Sequence, residues 1–351
     1  MEFDVPAVSH DLEAALRDKI DHKTKPTGAL GRLEALALQV GLIQGTLEPA
    51  LRKPAIVVYA GDHGVTEDNV SPYPSEVTAQ MVLNFLAGGA AINVFARQHG
   101  IELRVVDAGV VGDLPNTAGL LDRKIAKGTR NFVREAAMST AQCDTALAAG
   151  AAIADELHAD GTNVIGCGEM GIGNTSSAAL LMSFLCDLPI EECVGAGAGL
   201  DGPGVARKIE VLRLAQARIQ ATLGTQPDPQ RLLVECGGFE IVMIAGTMLR
   251  AAALGMVVLV DGFIASAALL AARAINPNVL GYCVFSHCSD EQGHRKMLAA
   301  LGGQALLALD MRLGEGSGAA LAYPIVVSAV AFLNEMASFE SAAVSGKKEG
   351  G

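Results

Sequence analysis

The strongest constraint on the fold is a junction in the middle of the chain. An apolar, β-leaning run at residues 162–165 is followed by Gly166-Cys167-Gly168-Glu169-Met170-Gly171-Ile172-Gly173, and Asn174-Thr175-Ser176-Ser177 then leads into helix-forming residues. That order reads as strand, loop and helix N-terminus. The same pattern recurs along the chain. Residues 55–60 end at Gly61-Asp62-His63-Gly64-Val65, 103–106 at Asp107, and 232–234 at Glu235-Cys236-Gly237-Gly238. Residues 256–260 end at Asp261-Gly262, and 283–285 at Ser286-His287. Short continuous apolar runs of this kind are parallel strands buried on both faces. Alternating with helices, they predict an α/β protein: a Rossmann-like parallel sheet flanked by helices, with polar groups gathered at one edge.

Helical spacing is expected at 12–20, 30–43, 79–86, 90–97 and 141–157, with a final helix over 324–339. The terminal helices have no strands beside them. They are expected to pack as a small helical domain built from residues 1–50 and 324–351, leaving 51–323 as the large α/β domain. The polar stretch 345–351 gives no reason for order.

Composition narrows the function. Half of the residues are apolar, glycine reaches 40 and tryptophan is absent. The net charge of −12 argues against a nucleic-acid partner, because phosphate backbones need a basic face. An anionic substrate must be held by local amides and a few cations. Seven scattered cysteines read as free thiols of a cytoplasmic protein. Cys283, His287, Cys288 and His294 cluster without zinc spacing, so no metal site is expected. The first residues have no signal-peptide pattern, and the most apolar region, 251–272, is interrupted by Asp261, so no membrane association is expected.

Glycines at the opening junction let backbone approach a ligand closely, and the first helical turn offers amide donors and partial positive charge. Both a ribose-phosphate cradle and an ordinary glycine-rich turn fit that spacing. Glu169 favours the first, since a carboxylate there repels phosphate unless it faces sugar hydroxyls. A second glycine run, Val194 to Gly204 with Asp201, precedes a helix carrying Lys208 and reads as a lid or phosphate loop, with a flexible surface loop as the alternative. In Arg312-Leu313-Gly314-Glu315-Gly316, a carboxylate between glycines is either a proton-transfer group or an electrostatic helix cap. The Asp62-His63 pair is either ligand-facing or a brace.

Residues 168–177, 195–208, 286–294 and 312–320 together resemble the nicotinate-nucleotide:dimethylbenzimidazole phosphoribosyltransferase family, which activates lower-ligand bases for cobamides. Lys25-Pro26-Thr27-Gly28-Ala29-Leu30-Gly31, Gly61 to Val65 and Gly128-Thr129-Arg130-Asn131 are also similar, so the resemblance runs from about residue 20 to 335. It implies a large domain with a parallel sheet, a small helical domain, and a dimer that shares residues between sites. It implies Glu315 as general base, Glu169 beside the ribose of nicotinate mononucleotide, and Lys208 near the reacting centre. Gly171, Gly173, Asn174, Thr175, Gly197, Gly199, Asp201, Arg312 and Leu313 are implied to bind substrate. The reaction would pass ribose 5-phosphate to an aromatic acceptor with inversion and no cofactor.

One part of the resemblance departs from the family pattern. Where members that handle dimethylbenzimidazole have Ser, Gln and Leu, this chain has Tyr73, Met81 and Met170. A smaller, less polar acceptor pocket suits phenol or p-cresol, which the family's phenol-activating branch accepts as a complex of two paralogous subunits. A homodimer and a heterodimer are therefore both open. Two rival readings are a non-catalytic partner subunit and a pyridine-nucleotide-dependent oxidoreductase. The oxidoreductase needs GxGxxG after the first strand, where Gly61-Asp62-His63-Gly64 stands instead.

Overall fold

The computed structural model describes residues 3–115 and 117–345, and the predicted tail beyond 345 lies outside the described residues. The chain begins with α1 (Glu13–Asp21) and α2 (Arg32–Gln44), the latter stopped by the left-handed Gly45. Next comes β1 (Ala55–Gly61), with every residue buried. The helices α3 (Glu76–Ala87) and α4 (Ala91–His99) then break at Gly88-Gly89, before β2 (Glu102–Gly109) and the short β3 (Leu120–Asp122). A reciprocal cap, in which Ser139 Oγ accepts from the Gln142 amide and the Gln142 side chain accepts from the Ser139 amide, starts α5 (Thr140–Ala159). After β4 (Val164–Met170) come α6 (Asn174–Cys186), α7 (Ile190–Cys193), α8 (Gly202–Leu223), α9 (Pro229–Cys236) and α10 (Phe239–Ala253). The remaining elements are β5 (Val257–Val260), α11 (Phe263–Ile275), β6 (Cys283–Phe285), α12 (His294–Ala300) and α13 (Ser317–Glu335).

All strand pairs are parallel, in the order β3-β2-β1-β4-β5-β6. The chain lays β1 to β3 outward on one side, returns to place β4 against the other edge of β1, and continues outward. This is the predicted Rossmann-like α/β sheet. Its direction reverses between β1 and β4, which opens a crevice at their C-terminal ends. Helix α10 crosses the sheet, and Tyr59 from β1 hydrogen-bonds Thr247 on it at 2.6 Å. Helix α13 packs on β4 and β5 and also against α2 and α4. The two ends of the chain are tied: the Thr24 amide donates to the Ala337 carbonyl and the Phe339 amide to the His22 carbonyl, both at 3.0 Å.

Four sequence expectations need correction. The strand read as 162–165 is β4 and extends to Met170, so Gly166 and Gly168 are strand residues paired with Ile56 and Val58. Gly166, Gly168 and Gly171 have dinucleotide-fingerprint spacing, but the first two lie inside the strand and form no strand-to-helix turn. Residues 232–236 are not a strand but most of α9, which starts at an Asp228 cap followed by Pro229. The last helix begins at Ser317 and carries Pro324 inside it. The edge strand β3 was not anticipated. Residues 251–272 divide among α10, β5 and α11. Two other stretches are long and apolar enough for a membrane, 76–99 and 317–335, with mean hydropathies of 1.4 and 1.6. The first is α3 and α4, broken at two glycines, and the second is α13, packed on the sheet.

Close helix packing holds this arrangement together. A Cβ at Gly150 on α5 would fall 2.0 Å from the Met243 carbonyl oxygen, and one at Gly246 on α10 would fall 2.2 Å from that of Leu147. A Gly246→Ala chain must therefore push the two helices apart, with an expected loss of about 1–3 kcal/mol. Thermal unfolding should show a midpoint several degrees lower; an unchanged midpoint would contradict the contact.

Candidate active site

The ends of β4, β5 and β6 and the loops beyond them enclose a cavity of about 460 Å³. The β4–α6 junction contributes Glu169, Met170, Gly171, Asn174 and Thr175, and the second glycine run contributes Gly197. Arg312, Leu313, Gly314 and Glu315 come from the loop before α13, while Tyr73 and Met81 close another side. Most of the residues singled out from sequence thus meet in one place. Gly173, Gly199, Asp201 and Lys208 are not on the cavity wall.

The two glutamates are brought together by backbone that only glycine neighbours permit. Gly314, Glu315 and Gly316 are successively left-handed, with φ of 82°, 65° and 87°. Their loop lies directly on β4. A Cβ at Gly168 would fall 2.2 Å from the Glu315 carbonyl oxygen, and one at Gly314 would fall 2.1 Å from Glu169 Oε1. The Asn174 side-chain amide donates to Glu169 Oε2. Burial pushes the Glu169 carboxyl up to about 8, reinforced by Asp261, Glu240 and Glu315 and opposed by Asn174. Burial also raises Glu315, the Ile92 amide at 3.5 Å opposes it, and Asp261 adds to it.

Behind Thr175, Lys208 is buried and its Nζ donates to Thr175 Oγ1 at 2.7 Å. Burial pulls its pKa down to about 8, against the nearby Glu291 carboxylate. Glu291 accepts the Gly197 amide at 3.1 Å, and Arg312 donates to the Gly197 carbonyl at 3.4 Å, so the second glycine run is pinned at that residue. Asp201 does not reach the cavity; it caps α8 by accepting the Gly204 amide at 2.8 Å. Gly199 is left-handed with open space around it, and Gly173 is the N-cap of α6. The expected anion-binding amides are partly used within the protein. Ile172 donates to Thr78 Oγ1 at 3.2 Å, Asn174 to the Gly171 carbonyl at 3.1 Å, and Ser176 to the Gly173 carbonyl at 3.0 Å.

Sequence reasoning missed Asp261, His287 and Glu291 as wall residues. The first was visible as an acid ending an apolar strand, but not its reach to another element. The Asp62-His63 alternatives resolve to a brace: His63 Nε2 lies 2.6 Å from Glu240 Oε1, both side chains are fully buried, and neither lines the cavity. Asp62 Oδ2 accepts the Val111 amide at 2.8 Å. His294 is committed through both ring nitrogens, to the Ser289 amide at 2.8 Å and to Ser266 Oγ at 3.0 Å, and burial pulls its pKa down to about 3. Among the described residues, no group of three or more His, Cys, Asp or Glu is placed to hold a metal ion.

The sequence profile of a family described as phosphoribosyltransferase (DBI_PRT) matches residues 5–344. This chain belongs to that family. It is 58% identical to the nicotinate-nucleotide--dimethylbenzimidazole phosphoribosyltransferase of Cupriavidus taiwanensis, over 98% of this chain and 99% of that one. It is 56% identical to the protein of the same name from Dechloromonas aromatica, over 99% of both. The crystal structure of CobT from Thermus thermophilus superposes with a TM-score of 0.91 at 43% identity, covering 95% of this chain and 99% of that one. The protein is thus an enzyme of the phosphoribosyltransferase class, which removes the oxidoreductase reading.

The cavity holds two buried carboxyl groups, Glu169 and Glu315, whose pKa values are both raised. Lys208 supports Thr175 from behind, and Arg312 holds the Gly197 turn. The raised Glu169 carboxyl also makes stability depend on pH. Folding favours its neutral form, so the native state binds more protons than the unfolded chain between the ordinary glutamate range and about 8, and stability falls as pH rises through that window. Glu169→Gln removes this loss. Thermal unfolding should show the variant gaining on the wild type from pH 5 to pH 8, with little difference at pH 4; parallel pH profiles would refute the assignment.

Proposed function

We propose that this phosphoribosyltransferase transfers ribose 5-phosphate from nicotinate mononucleotide to an aromatic lower-ligand base for cobamide assembly, favouring phenol or p-cresol over dimethylbenzimidazole. The observation carrying this reading is that Glu169 and Glu315 share one cavity with Tyr73, Met81 and Met170. The names of the relatives supply the donor class and the benzimidazole. The Tyr and two Met side chains supply the reason for a smaller, less polar acceptor.

In this reading the C1′–N bond to nicotinate breaks and its electron pair returns to the cationic pyridine ring. The acceptor oxygen attacks from the opposite face, C1′–O forms with inversion, and Glu315 takes the phenolic proton. A phenol has a pKa near 10, and a carboxylate of raised pKa is a better-matched acceptor for its proton. Glu169 faces the ribose, and the positive charge that develops at C1′ favours its ionised form. Lys208 acts through Thr175 behind the donor side, and Arg312 holds the Gly197 loop against the sugar phosphate. Exposed Leu83 on α3, Val94 on α4 and Val327 on α13 fit burial in a dimer, with a second copy or a paralogous subunit.

With nicotinate mononucleotide as donor, mass detection should show the riboside phosphate of phenol forming faster than that of dimethylbenzimidazole. Glu315→Gln should lower kcat by about 10²–10⁴-fold. The triple change Tyr73→Ser, Met81→Gln and Met170→Leu should reverse the acceptor preference. Efficient turnover of dimethylbenzimidazole with none of phenol would overturn the acceptor assignment.

A further inference from the structure

The geometry points to Asp261 as the residue that positions Glu315 for proton transfer, an inference that rests on the proton-accepting role proposed for Glu315. The N-cap of helix α13 is Gly316, which has no side chain to cap the first turn. The cap comes from the neighbouring strand instead. At the end of β5, Asp261 Oδ2 accepts the Gly316 amide at 3.2 Å and Oδ1 accepts the Ala319 amide at 2.9 Å. The first of these bonds fixes the residue immediately after Glu315. Glu315 itself is left-handed at φ 65°, a conformation that a side-chain-bearing residue keeps only when its surroundings impose it. The seat on Gly168 holds its carbonyl side, and Asp261 holds its C-terminal neighbour.

Asp261 is itself confined. His287 Nε2 lies 4.0 Å from its Oδ1, and the His287 ring is pressed against Gly318, where a Cβ would fall 2.0 Å from Cδ2. The carboxylate is buried and lies on the cavity wall beside Glu169 and Glu315. It therefore acts on Glu315 in two ways, by geometry and by charge. Asp261 raises both glutamates, while Glu169 also feels Glu240 from α10, and Glu315 meets the Ile92 amide from α4. The groups facing Asp261 are His287, the buried Cys167 thiol and these two glutamates.

Two substitutions separate the effects. Asp261→Asn keeps the size but removes the charge and turns one acceptor into a donor facing an amide. It should lower kcat by about 10²-fold with little change in KM for nicotinate mononucleotide. It should also move the acid limb of the kcat profile to lower pH, since a negative charge beside Glu315 is gone. Asp261→Glu keeps the charge and displaces the loop, so kcat should fall with the limb in place. Wild-type kcat in either variant, or an unmoved limb in Asp261→Asn, overturns the inference. Hydrogen exchange on the full chain gives an independent readout. The amides of Gly316 and Ala319 should be protected in the wild type and lose protection selectively in Asp261→Asn; rapid exchange in the wild type overturns the inference. If Asp261→Asn does not fold, Asp261→Glu and the wild-type exchange decide. If the wild type transfers ribose phosphate to no acceptor, the proposed function fails, and the exchange result still decides whether Asp261 holds the loop.

Discussion

The site depends on one close approach of backbone to backbone. The loop carrying Glu315 rests on β4 at Gly168, nearer than any side chain would allow. This contact brings a carboxylate from the last third of the chain beside Glu169, which the strand itself presents. The topology makes the approach possible. Because β4 lies where the strand order reverses, its C-terminal end faces an open crevice rather than another connection. Two of the glycines that first looked like a ligand loop, Gly166 and Gly168, form a recess in the sheet, and the recess is filled by the protein's own chain.

Burial then gives the two glutamates their chemistry. Each is taken out of water with few donors to stabilise its charge, so each holds its proton more tightly than an ordinary carboxyl group. The cation Lys208 is shielded behind Thr175 and holds its proton less tightly. The opposed shifts of Glu169 and Lys208 bring one group of each kind near the range where protons are exchanged at neutral pH. His63 and Glu240 lie below this layer as a buried pair, bracing the ends of β1 and α10 without entering the cavity.

Much of the architecture was legible because buried parallel strands declare themselves as continuous apolar runs, as at 55–60 and 256–260. The failures have specific causes. The run 232–234 has the same composition as a strand, but Asp228 and Pro229 just before it form a helix start, and that local signal decides the outcome. Residues 166–170 were read as loop because glycine weakens a strand, and no local signal reveals that another segment will lie against the missing side chains. Asp201 beside glycines looked like a ligand group, while the same arrangement is a helix cap. Asp261 was visible as a strand-ending acid, but its bond to α13 joins elements more than fifty residues apart and has no counterpart in local pattern.

The seat on β4 also bears on how the molecule comes into being. The strand is made before the segment that covers its bare glycines, because Gly168 precedes Glu315 by a long stretch of chain. Until then the central sheet carries an uncovered strip of exposed backbone, and a nascent or truncated polypeptide that has the whole sheet still lacks its reaction chamber. Covering the sheet and forming the chamber are therefore a single event.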